Sequence, residues 1–139
     1  MSFYVLDTDH LSLLQRGNEA IHQHLLAVPP TEIAITVVTL EEQLRGWLAL
    51  INKANSGEQR IKAYQRLQAF TTTAAALTIL PYTEPADQLF EQFRKAKIRL
   101  GSQDLRIACI VLANQAVLLT RNHKDFCQVA GLQIADWST

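Results

Sequence analysis

Gly101-Ser102-Gln103-Asp104-Leu105-Arg106-Ile107-Ala108 and, shortly after it, Leu118-Leu119-Thr120-Arg121-Asn122 are the stretches whose reading decides the fold. The first predicts a helix start. Ser102 has the chemistry of an N-cap, and the apolar residues Leu105, Ile107, Ala108, Val111 and Leu112 follow at helical spacing. The second predicts a buried strand over 116–119 that runs out into polar residues. Asp104 falls in the first turn of the helix, where the helix dipole favours its ionised form. Acids are common in first turns for that reason alone, so Asp104 gains meaning only from the rest of the chain.

Working outward, the same alternation recurs. Phe3-Tyr4-Val5-Leu6 is a short apolar run that stops at Asp7-Thr8-Asp9-His10. Leu11, Leu13 and Leu14 predict a short helix closed by Gly17, and Asn18 is placed to cap a second one ended by Pro29-Pro30. Ala34-Ile35-Thr36-Val37-Val38 predicts the next strand. A helix is expected from Thr39, whose hydroxyl forms a capping box with Glu42, and residues 59–70 complete an αα-hairpin with it. A third strand covers 77–80, a helix runs over 85–100, and a last strand lies near 133–135. Short apolar strands alternating with helices predict an α/β fold of three layers. Its mostly parallel central sheet has about five strands flanked by helices, in a single domain over 1–139.

The bounds agree. The 139 residues are 48% hydrophobic and 19% charged, enough for one buried core and unlike a disordered chain. No apolar run is long enough to span a bilayer, and Met1-Ser2-Phe3-Tyr4-Val5-Leu6-Asp7 lacks the features of a signal peptide. Cys109 and Cys127 make no Cys-x-x-Cys motif, so a reduced, cytoplasmic protein is expected. Net charge is zero, which argues against gripping nucleic acid by bulk basicity. The charge is nonetheless uneven: seven acids against three bases up to residue 58, and six against ten beyond it. Arg94, Lys95, Lys97 and Arg99 form the densest basic cluster, whose ordinary role is a solvated helix face.

In a parallel sheet, chemistry gathers at the carboxyl ends of the strands. Asp7 ends the first strand, Glu42 lies near the start of the helix after the second, and Asp125 follows the fourth. Topology alone leaves Asp104 unplaced, because the angle between the two helices before the fourth strand is not readable. Four carboxylates sharing a site would disfavour joint ionisation unless a cation were present. Mg²⁺, or Mn²⁺ in its place, takes oxygen ligands of this kind.

These pieces, in this order, resemble the PIN-domain family, and most closely the small VapC-like toxins of type II toxin–antitoxin pairs. The matching segments are Tyr4-Val5-Leu6-Asp7-Thr8-Asp9, Thr36-Val37-Val38-Thr39-Leu40-Glu41-Glu42 with Gly46, Asp104-Leu105-Arg106-Ile107-Ala108 and Leu118-Leu119-Thr120-Arg121-Asn122-His123-Lys124-Asp125-Phe126. Gly131-Leu132-Gln133-Ile134-Ala135-Asp136-Trp137 is similar to the family's final strand, so the resemblance covers essentially the whole chain.

The resemblance implies a Mg²⁺-dependent endoribonuclease that hydrolyses RNA phosphodiester bonds, with Asp7, Glu42, Asp104 and Asp125 as its acidic cluster. Asp7 and Asp104 would be the principal metal ligands. Glu42 is chosen over Glu41 because the family places its glutamate four residues before a glycine, here Gly46. At the fourth position the family shows an acid or Asn where Asn122 stands and often an acid three residues on, so Asn122 and Asp125 are both candidates. Thr8 and Thr120 would position water or phosphate, and Arg121, Lys124 and the 94–99 cluster are candidates for steering RNA. The family implies a substrate such as tRNA or another structured RNA, a cognate antitoxin crossing the active-site groove, a homodimer, and no membrane. The helix at 40–51 and its partner at 59–70 are the expected contact surface.

Other residues receive ordinary roles. Asp9 reads as a turn or cap residue and His10 as a neutral surface or capping histidine. His22 and His24 face different sides of a helix and make no metal pair, and Trp47 and Phe93 read as core or dimer contacts. A receiver-like signalling domain would need an Asp at the end of the third strand, where Leu80-Pro81 stands. A PIN-fold RNA-processing nuclease without a toxin role, and a catalytically silent RNA- or protein-binding module, are the remaining alternatives. An upstream antitoxin gene separates the first of these from a toxin.

Overall fold

The computed structural model describes residues 3–139; Met1 and Ser2, which begin the stretch read for signal-peptide features, lie outside the described residues. Five strands, β1 (Tyr4–Leu6), β2 (Ile33–Thr36), β3 (Thr78–Leu80), β4 (Val117–Leu119) and β5 (Gln133–Ala135), form one sheet in the order β3-β2-β1-β4-β5. Every pairing is parallel. The helices are α1 (Thr8–Gln15), α2 (Glu19–Leu26), α3 (Val37–Lys53), α4 (Gly57–Ala75), α5 (Glu84–Lys95), α6 (Ser102–Ala113) and α7 (His123–Phe126).

The apolar runs read as strands because they are buried on both sides. Val5, Ala34 and Leu118 face a core shared with α5 and α6, whereas Leu6, Ile35 and Leu119 face a second core with α1, α2 and α4. Adjacent side chains on a strand point to opposite faces, so two cores follow from one continuous run. The result is the three-layer α/β architecture expected. Among the described residues no helix is long and apolar enough to cross a membrane.

Several boundaries move, each for a local reason. β2 ends at Thr36, because its hydroxyl accepts the Thr39 N–H at 3.1 Å and caps α3. Val37 and Val38 therefore belong to the helix, the Thr39–Glu42 capping box is absent, and Glu42 sits in the second turn. At α6 the N-cap is Gly101, with Ser102 already inside the helix and no side-chain cap. Helix α5 stops at Lys95, and Lys97 adopts φ 56°, a left-handed conformation that a helix cannot continue through. Arg94, Lys95, Lys97 and Arg99 consequently share no helix face. The short helix α7, capped by Asn122, carries no periodicity that a sequence reading detects.

The α3 cap has a measurable weight. Thr36 is fully buried, and Thr36→Ala is expected to lower stability by about 1–2 kcal/mol, measured by urea unfolding.

Candidate active site

The sheet order reverses at β1: the chain leaves it toward β2 and returns on its other side through β4. At such a switch point the loops beyond the two strands diverge and open a crevice. Asp7, at the carboxyl end of β1, serves as N-cap of α1, with Oδ1 accepting the His10 N–H at 2.7 Å. Its own N–H is fixed by the Leu119 carbonyl at 3.1 Å, which ties it to the neighbouring strand end. An open cleft of about 350 Å³ lies here, lined by Asp7, Thr8, Asp9, Ser12, Asp104, Asn122 and Phe126.

Helix α6 delivers Asp104 to this cleft from its first turn. Burial, and then the charges of Asp7 and Asp125, push its carboxyl above the usual aspartate range. Asp125 is held by Asn122, whose amide donates to Oδ2 at 3.1 Å while its oxygen caps α7. Glu42 reaches across from α3, and its Oε1 accepts the Thr8 hydroxyl at 3.0 Å. Burial raises its carboxyl too; the Thr8 hydrogen bond opposes that, and the Asp104 charge adds to it. Four acids from four elements thus meet at one sheet edge, with Asp104 electrostatically in touch with the other three.

The tightest grouping of ligand atoms among the described residues is a different one: Asp7, Asp9 and His10, all within 4.8 Å of one another. Two of its members are already engaged. Asp9 holds Arg121 through both oxygens, at 2.7 and 2.8 Å, and the guanidinium keeps its carboxyl below the usual range despite partial burial. The Nε2 of His10 accepts the Trp137 N–H at 3.2 Å. Asp7 and Asp104 remain as carboxylates that line the cleft with no lysine or arginine paired to them among the described residues. This oxygen-only pair, carrying like charges that a cation would relieve, fits a hard divalent ion.

No family model matches the chain. It is 29% identical over 97% of its length to a protein named Ribonuclease VapC1 from Haemophilus influenzae (strain R2866), of which it covers 98%. A protein of the same name from Rickettsia felis is 26% identical over 94% of the chain and 92% of that relative. In structure it superposes on a chain of VapBC-1 from nontypeable Haemophilus influenzae with a TM-score of 0.73, at 25% identity and 99% coverage of both. A chain of DNA-bound VapBC from Salmonella typhimurium gives a TM-score of 0.78 at 22% identity, again with 99% coverage of both. The chain is similar along nearly its whole length to proteins named VapC ribonuclease, and it has the PIN fold of the VapBC toxin chains.

On this PIN fold the remaining expected residues take definite places. Thr8 touches both the cleft and Glu42. Thr120 is buried, and its hydroxyl accepts the Asn122 N–H at 2.9 Å, so it shapes the turn before α7 instead of facing the cleft. Arg121 is spent on Asp9, and Asp9 is neither turn nor cap but the anchor of that pair. Lys124 and His123 are exposed on α7. The larger correction is His10, which is fully buried and not on the surface. A histidine three residues after a capping Asp carries no burial signal of its own, so the sequence does not reveal it.

Proposed function

We propose that this chain is a metal-dependent endoribonuclease and the toxin of a VapBC-like toxin–antitoxin pair, acting in the cytoplasm. The observation that carries this reading is the meeting of Asp7, Glu42, Asp104 and Asp125 beside one open cleft, on a fold shared with relatives named ribonuclease. Asp7 and Asp104 would hold Mg²⁺ or Mn²⁺. A cation bound there lowers the pKa of a coordinated water and offsets charge on the phosphodiester.

The chain's own residues supply the rest. Glu42 acts as general base: its Oε1 is fixed by Thr8, its Oε2 has no protein partner among the described residues, and its raised carboxyl retains the proton taken from the attacking water. Attack at phosphorus forms one P–O bond as the bond to the departing oxygen breaks. Asn122 keeps Asp125 turned toward Asp104, completing the negative wall. Lys124 is the basic side chain nearest in sequence to the site that is left to meet RNA, since Arg121 is occupied.

The partners follow the same logic. A groove of about 570 Å³ between α1, α3 and α4 shares Ser12 with the cleft and presents Arg16, Arg66 and Trp47. An antitoxin segment lying there would run into the acids. Leu44, Leu48, Ile61 and Tyr64 of α3 and α4 are 36–60% exposed, an apolar surface for a second copy or for the antitoxin.

Purified, antitoxin-free chain is expected to cut tRNA or another structured RNA with Mg²⁺, to stop in EDTA, and to resume when Mg²⁺ or Mn²⁺ is restored. Cleavage indifferent to EDTA, or a folded chain that binds neither ion, would overturn the reading.

A further inference from the structure

His10 lies wholly inside the protein, directly behind Asp7. Its two ring nitrogens have different surroundings. Nε2 accepts the backbone N–H of Trp137, so it carries no proton, and a neutral imidazole must carry its proton on Nδ1. Asp136 Oδ1 also lies 3.5 Å from Nε2, but that oxygen takes the Ser138 N–H at 2.8 Å. Nδ1 is buried and has no hydrogen-bond partner among the described residues. The acceptor in front of it is Asp7 Oδ1 at 3.5 Å, just beyond hydrogen-bond length.

A buried N–H left unmade is costly, and native structures rarely keep one without a purpose. The imidazole is moreover held from behind. Trp137 is buried and packed between Tyr4 and His24, with ring centroids 4.9 and 5.1 Å away. The chain's last residues thereby set the direction of a donor aimed at a carboxylate in the cleft.

The geometry points to His10 as a positioning residue: its Nδ1–H closes on Asp7 Oδ1 and orients the carboxylate for a divalent cation, while the Trp137 N–H fixes the tautomer that makes this donation available. This rests on the proposed role of Asp7 as a metal ligand. Carboxylates and imidazoles at metal sites depend on such outer hydrogen bonds, whose removal weakens metal affinity about 10–100-fold.

Two substitutions separate the two nitrogens. His10→Asn puts an amide donor at the Nδ1 position and loses the Nε2 acceptor; His10→Gln puts an amide oxygen near Nε2 and loses the Nδ1 donor. Calorimetric titration with Mg²⁺ and Mn²⁺ is expected to show affinity about tenfold or more weaker in His10→Gln and within a few-fold of wild type in His10→Asn. Equal affinities in both variants, or the reverse order, would overturn the inference. Failure of the wild type to bind either ion would instead overturn the metal-site reading itself. Should both variants unfold, ¹⁵N NMR of the wild-type imidazole decides: the Nδ1–H tautomer, with its proton moving downfield on Mg²⁺ addition, is expected. The Nε2–H tautomer, or an Nδ1 proton indifferent to Mg²⁺, would sink it.

Discussion

Asp104→Asn is expected to cut the rate of RNA cleavage at least about a hundredfold and, at the same time, to raise the thermal stability of the metal-free protein. The two effects share one cause. Burial, Asp7 and Asp125 all push the Asp104 carboxyl above its ordinary value of 3.8, so the folded state holds this proton more tightly than the unfolded one. Linkage then makes its contribution to stability fall as pH rises from that ordinary value through the raised one, and the penalty is fully present at neutral pH. Glu42 adds to the same trend. Asp9 and Asp136, whose carboxyls lie below the usual range, work in the opposite direction as pH falls. The difference between wild type and Asp104→Asn isolates the one group. Melting curves without metal should separate above pH 4 and stay apart at pH 7, with the variant higher. Adding Mg²⁺ should raise the wild type and leave the variant nearly unchanged. A variant that cleaves at the wild-type rate would remove Asp104 from the chemistry.

Phe126→Ala is expected to be the most damaging single change outside the acids. Phe126 is 1% exposed, belongs to the core beneath α5 and α6, and also lines the cleft. Removing so large a buried ring costs about 3–5 kcal/mol, a large share of the 5–15 kcal/mol that stabilises a typical domain. The four-residue α7 has little else to hold it, since Phe126 is its one buried residue. Loss of the ring should therefore loosen Asp125 and Asn122 as well. Urea unfolding should show the lower midpoint, and Mg²⁺ affinity should fall in the protein that remains folded. Full stability in Phe126→Ala would contradict this account of how the fourth acid is held.

How far the sequence discloses all this depends on whether a feature is local. Strands such as Val5-Leu6 and Leu118-Leu119 are legible because burial on two faces leaves an unbroken apolar run. The end of β2 is not, since Val37 and Val38 have the β-branched look of a strand while the Thr36 hydroxyl has already started the helix. The break after Lys95 hides for a similar reason: Lys97 supplies the left-handed turn where a glycine would have announced it. Asp7 declares itself by ending a strand. Asp104 does not, because its approach depends on how α5 and α6 pack, a property of two helices and their connection. His10 is hidden most completely, as its burial is decided by Trp137, at the other end of the chain.

β1 is made before the other four strands, yet it is the central one, and one of its neighbours is β4 at residues 117–119. Contacts so distant in sequence are late to form. Glu42 and Asp104 can be synthesised, and their helices formed, while the edge that would gather them with Asp7 and Asp125 is still missing. A chain arrested or clipped before its final strands would carry three of the four acids with nothing to converge on, and the Asp7 cap would lack the Leu119 carbonyl that ties it down. The order of the strands thus ties the gathering of the acids to β4, which must be made and paired with β1 before the edge exists.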